Sequence, residues 1–286
     1  MFDTAAPEAP TAARSQSWRA RLDLRYERRG DRSVLAASSH EGPLVVQKSL
    51  YDEGDPVCHN IVVHPPGGIA GGDRLHVDVS LGHAAHAKLT TPGAAKWYRS
   101  AGEFAQQRTV LHVSRGAALE WLPQEAIFFD GAKADLDCVI DLDDDAVFIG
   151  WEIVCLGRGA SGERFARGVV KQRVALFRDS ARVFAERAIL EGGSRLLDSA
   201  AGLKGARVFG TFFAAAPLIA DALLSECRDV KTDEGDTGVT RLPGLLLARC
   251  LGGSAEAARA YFVRIWSCAR RVLLRREAVA PRIWNT

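Results

Sequence analysis

From Trp18 onward the apolar residues of this chain fall in short runs, alternating or continuous, broken by Gly, Pro and Asp. Examples are RARLDLRYERRGDRSVLAASS, GPLVVQKSLY, RLHVDVSLG, HAKLTTPG, RTVLHVSRGAALEWLPQ and ADLDCVIDLDDDAVFIGWEIVCLGR. A spacing of about 8–12 residues between breaks predicts a mainly β architecture. RVALFRD, ARVFAERAILEGG and ARVFGTFFAAA continue it, and no long internal repeat is evident. Two segments change period. APLIADALLSECRD reads as a helix, with Pro217 in a first turn that tolerates it and Ile219, Leu223 and Leu224 on its apolar side. GSAEAARAYFVRIWSCARRVLLRRE predicts a second helix, capped by Ser254, with Phe262, Ile265, Trp266, Ala269 and Leu273 as one stripe. Arg275 and Arg276 then stand at its negative end. Between the helices, VKTDEGDTGVTRLPG reads as a polar loop leading into a strand at GLLLARCLG. Residues 1–16, rich in Ala, Pro, Thr and Ser, predict a disordered tail ahead of one domain over 17–286.

Composition narrows the class without changing that picture. With 47% hydrophobic and 25% charged residues among 286, the chain is built to bury a core, not to remain disordered. A net charge of +2 gives no electrostatic footprint for nucleic acid. No apolar run approaches the ~18 residues of a membrane-spanning helix, and MFDTAAPEAPTAA lacks the basic and apolar regions of a secretory leader. Six cysteines lie no closer than 17 residues apart, so there is no CxxC. The expectation is reduced thiols in the cytoplasm.

The densest stretch is HNIVVHPPGGIAGGDRLHVDVSLGHAAHAKLTTPGAAKWYRS, residues 59–100. Gly67 and Gly72 have the spacing of a phosphate loop's outer glycines. Asp73 and Arg74 stand where Lys and Ser/Thr should be, and a carboxylate there repels phosphate. The two Pro and the glycines Gly67, Gly68, Gly71 and Gly72 read instead as a tight corner between strands. Asp73 then either caps the turn or faces a polar interior. Asp141, Asp143, Asp145 and Glu152 imitate the spacing of an EF-hand. Ala146 occupies the obligatory Gly position, however, and the flanks alternate with period two, as strands do. All seven histidines lie between 40 and 112. Cys58, His59 and His64 suit a borderline metal such as nickel or zinc, though no complete tetrad can be drawn. No GxSxG, HExxH or HxE…CxxC pattern occurs.

HPPGGIAGGDRL followed by TTPGAAKWYRS resembles the signature of the urease accessory protein D family (UreD, or UreH). RARLDLRYERRGDRSVL, GPLVVQKSLY, CHNIVVHPPGG, LEWLPQEAIFFDGA, GWEIVCLGRGASGERF and PRIWNT resemble it too, in its order and spacing, over about residues 17–286. The resemblance implies an elongated helical stack of β-strands with two α-helices in the C-terminal part. It also implies a non-enzymatic accessory protein that binds apo-urease and recruits UreF, and through UreF the GTPase UreG. No cofactor would be tightly bound; Ni2+ would be in transit along an internal polar path. Three acidic positions match that path: Asp73, Glu152 and Glu186. Glu152 and Glu186 sit among apolar residues on predicted strands, where a carboxylate is costly unless paired, hydrated or wanted. His64 and Cys58 are weaker metal candidates, at the surface or mouth of the path. The competing reading makes the protein a structural adaptor, with these carboxylates held in ion pairs.

Overall fold

A computed structural model describes residues 17–285; the tail expected over 1–16, and Thr286, lie outside the described residues. As the alternation predicts, the chain is mostly β. It passes back and forth between two sheets. The seven-stranded sheet contains β1 (Arg19–Arg29), β2 (Arg32–Glu41), β5 (Arg74–Leu81), β8 (Ala105–Val113), β11 (Lys133–Leu142), β13 (Val169–Arg178) and β14 (Ala181–Glu191), in the order β14-β13-β11-β8-β5-β1-β2. The ten-stranded sheet takes the intervening strands: β3 (Val45–Val46), β4 (Cys58–Val63), β6 (His86–Thr90), β9 (Ala118–Leu122), β12 (Val147–Leu156), β15 (Val208–Ala215), β16 (Asp236–Leu242) and β17 (Leu245–Gly252). Its main order is β16-β17-β15-β12-β9-β6-β4-β3, and β12 also pairs with β10 (Ala126–Phe128), which pairs with β7 (Ala95–Trp97).

The middle of each sheet is parallel: β1, β5, β8, β11 and β13 in one, β4, β6, β9 and β12 in the other. Parallel neighbours need a long crossover, usually a helix. Here a strand of the opposite sheet serves as the crossover, so the chain winds into stacked coils. This needs no sequence repeat, only inward apolar parity in every coil. In one row Leu24, Val79, Leu111, Ile140 and Leu176 stand in register across five strands, and all are buried between the sheets.

Of the three α-helices among the described residues, the two longer ones pack on the outer face of the ten-stranded sheet. α1 (Arg195–Asp198) is a single turn with no counterpart in the periodicity. α2 (Asp221–Asp229) and α3 (Ala255–Leu273) are the two expected ones. The α3 cap is as predicted, with Ser254 Oγ accepting from the Ala257 amide at 3.1 Å. Phe262, Ile265, Trp266 and Ala269 are fully buried against Ile149, Trp151 and Ile153 of β12. At about 1.5–3 kcal/mol for each large apolar side chain removed from water, this face holds the helix down. Two local expectations need correction. α2 begins at Asp221, leaving Pro217 outside its first turn, because Ile219 is drawn into the core from an extended segment. The polar loop before Leu245 includes β16, an edge strand. Pairing with β17 satisfies its backbone while water covers its side chains, so it carries no hydrophobic pattern.

β12 is buried on both faces, which is why VFIGWEIVCL reads as nearly continuous apolar sequence. A buried ionic cluster ties α3 to the same sheet. Glu120 of β9 accepts from Arg270 Nε at 2.9 Å, His86 Nε2 lies 2.8 Å away and Trp266 Nε1 donates at 2.6 Å. Arg270 also reaches Glu53 at 2.5 Å, and Glu53 pairs with Lys88 at 2.5 Å. None of the described helices is long and apolar enough to cross a membrane.

Candidate functional site

Two rows beside the aliphatic one break the apolar rule. Val77, Thr109, Cys138, Val174 and Glu186 form one in register, and Leu75, Gln107, Leu136, Gln172 and Ala188 form the other. On the facing sheet Glu152, Thr211 and Arg249 align across β12, β15 and β17. Packing cannot close where these polar groups face one another, and two cavities lie between the sheets. The larger, about 360 Å3, is walled by residues that include His64, Trp97, Trp121, Thr109, Cys138 and Gln107. The smaller, about 60 Å3, is walled by residues that include Glu186, Thr211 and Arg249. Glu152, Val154 and Gln172 belong to both.

Glu152 and Gln172 meet across the gap, Gln172 Nε2 donating to Glu152 Oε2. Burial pushes the Glu152 carboxyl up to about 7; the Gln172 hydrogen bond opposes this and the Glu186 charge adds to it. Burial, with the Glu152 charge beside it, also pushes the Cys138 thiol well up. Glu186 is bonded to Arg249 at 2.7 Å. In the larger cavity's wall, burial lowers the pKa of His64 against the pull of Asp73, so its ring is neutral near pH 7. His64 Nε2 and Trp97 Nε1 are both buried without a hydrogen-bond partner. A neutral imidazole with an unpartnered nitrogen is the form that ligates metals.

The corner preceding β5 explains its glycines. The Ile69 amide donates to the Lys96 carbonyl and the Ile69 carbonyl accepts from the Tyr98 amide, pressing the turn onto KWYRS. A Cβ on Gly68 would come within 2.0 Å of the Tyr98 ring, and Gly72 holds φ at +92°. Gly67 and Gly68 reach the larger cavity, whereas Gly71 and Gly72 back onto Ser100 and Glu103. Asp73 is buried, and both its oxygens accept backbone amides at 2.8 Å, from Trp18 and from Ala70. It caps the corner and is not among the residues walling either cavity.

Of the residues singled out in the sequence, the fold therefore brings Glu152 and Glu186 to one cavity and His64 to the adjoining one. Cys58 is fully buried in β4, its sulfur 3.5 Å from Asn60 Oδ1, away from both. Sequence reading missed Gln172, Thr109, Thr211 and Arg249. Each sits at the inward parity of an otherwise apolar alternation, a signal visible in VVKQRVALFR and LLLARCLG once the strands are placed. Among the described residues no group of three or more His, Cys, Asp or Glu could hold a metal ion. The cavities are lined by separated single donors.

The family model for "UreD urease accessory protein" matches residues 19–285. The chain belongs to the UreD family. It is 51% identical over 274 residues to the urease accessory protein UreD of Azoarcus sp. (strain BH72), covering 96% of each chain. It is 50% identical over 276 residues to the UreD of Dechloromonas aromatica, covering 95% of this chain and 96% of that one. To the UreD of Pseudomonas aeruginosa it is 50% identical over 271 residues, covering 94% and 96%. The UreD match thus spans both sheets, the cavities between them and the C-terminal helices.

Proposed function

We propose that this protein acts in urease maturation as a non-enzymatic cytoplasmic scaffold. In this reading it binds apo-urease and the UreF–UreG complex and conducts Ni2+ between its sheets during GTP-dependent delivery. The observation that carries the reading is the pair of cavities sharing Glu152 and Gln172. A divalent cation loses much of its hydration in an apolar core, and oxygen or imidazole nitrogen donors spaced along the way offset that loss. Transit also requires that no donor set close around the ion, since a complete Cys/His cage would retain it. Separated donors meet both demands: His64 in the larger cavity, Glu152 at the junction, Glu186 in the smaller one. Asp73 serves the path in a different way, holding the corner whose Gly67 and Gly68 wall the larger cavity.

A second reading, the structural adaptor, draws on specific contacts. Asp73 accepts a backbone amide on each oxygen and Glu186 is engaged by Arg249. The test is urease matured in cells carrying the wild-type chain, Glu152→Ala or Asp73→Ala, with co-purification checking assembly. The conduit reading expects nickel-poor urease from Glu152→Ala in an intact complex. Normal nickel content there would replace it with the adaptor.

A further inference from the structure

The two cavities are separate volumes with a common wall of three residues, Glu152, Val154 and Gln172. Only two of these are polar, and they come from opposite sheets: Glu152 from β12 and Gln172 from β13. Their hydrogen bond spans the inter-sheet gap at the point where the cavities adjoin. We infer that the Gln172 carboxamide is the gate between the two cavities, latched to Glu152 when closed and supplying an oxygen to a divalent cation when open. This rests on the conduit reading above and adds to it a residue and a moving part.

The chemistry of the side chains supports the assignment. A cation seated between the two side chains would use the Glu152 Oε2 that now accepts the Gln172 N–H, so at this contact it competes with the amide. A carboxamide carries a donor nitrogen and an acceptor oxygen on one plane, and its terminal torsion is soft. Rotation of about 180° exchanges them. Gln172 then turns from a donor to Glu152 into a second oxygen ligand beside it, without movement of either strand. Beyond the gate the next carboxylate, Glu186, is already engaged by Arg249 at 2.7 Å. A cation leaving the gate therefore meets a ligand whose charge is partly compensated, which favours release.

Residue 172 is altered in two opposite ways in the full chain, co-expressed with urease and the other accessory proteins. Gln172→Leu removes both donor and acceptor at similar volume. Gln172→Glu keeps the length but sets two carboxylates face to face, a pair that grips a cation. Both are expected to lower urease nickel content severalfold while the complex still co-purifies. In equilibrium dialysis of the purified full chain against NiCl2, Gln172→Glu is expected to bind at least about tenfold tighter than wild type, about 1.4 kcal/mol. Gln172→Asn, which withdraws the amide by one methylene, replaces either variant that fails to accumulate and is expected to deplete nickel. Normal nickel content with any of these, or no tightening in Gln172→Glu, overturns the gate. If Glu152→Ala depletes nickel while residue 172 does not matter, the conduit stands without a gate. If Glu152→Ala leaves nickel normal, the conduit reading itself is wrong.

Discussion

Glu152→Gln isolates what the buried carboxyl costs the fold. In the native chain this group is raised from an ordinary 4.5 to about 7, with burial as the main cause. Between those values the folded protein keeps a proton that the unfolded chain has released, so stability falls as pH rises through that window. Below about pH 4.5 the cost is absent; above about pH 7 it is fully present. A change from 4.5 to about 7 is worth about 3 kcal/mol at 1.36 kcal/mol per tenfold proton affinity. Glu152 is half-buried between two cavities, which lowers the expected figure to about 2 kcal/mol. Glutamine keeps the length and an acceptor for Gln172 but never ionises. Urea denaturation of both proteins should therefore give nearly equal stabilities at pH 5. At pH 8 the variant should be more stable by about 2 kcal/mol, or roughly 5 °C in Tm for a chain of this size. An advantage of the same size at both pH values, or a variant weaker than wild type at pH 8, would refute the argument.

Glu120 has the opposite sign. Its burial is outweighed by His86 and Arg270, which hold it at about 2, so its stabilisation is present above about 4.5 and lost as pH falls toward 2. Arg270→Met leaves Glu120 and Glu53 buried without that partner and should cost about 3–5 kcal/mol in denaturant titrations; adding Glu120→Gln should recover part of the loss. Asp73→Ala orphans the amides of Trp18 and Ala70 and should cost about 1–3 kcal/mol per amide, with faster hydrogen exchange at both. Gly68→Ala forces the tip of the exposed Tyr98 ring aside and should cost about 1 kcal/mol or less in thermal stability.

Much of this protein was legible from local pattern. Alternation located most strands, the 3.6-residue stripe and Ser254 located α3, and the motif blocks identified the family. The pattern also showed Glu152 and Glu186 as carboxylates out of keeping with their strands. Local pattern encodes which way a side chain points, but not what it points at. Glu152 meets Gln172 of the next strand, and Arg249 meets Glu186 sixty-three residues away, only because strands of opposite sheets face each other across the gap. β16 needed β17 beside it to become a strand at all, since an edge buries too little to leave a periodic mark. Asp73 illustrates the division most clearly. The sequence left two roles open for it, cap or interior carboxylate, and a capping oxygen is distinguished from a free one only by the donors around it. The tertiary structure supplied those donors, the amides of Ala70 three residues away and Trp18 fifty-five residues away.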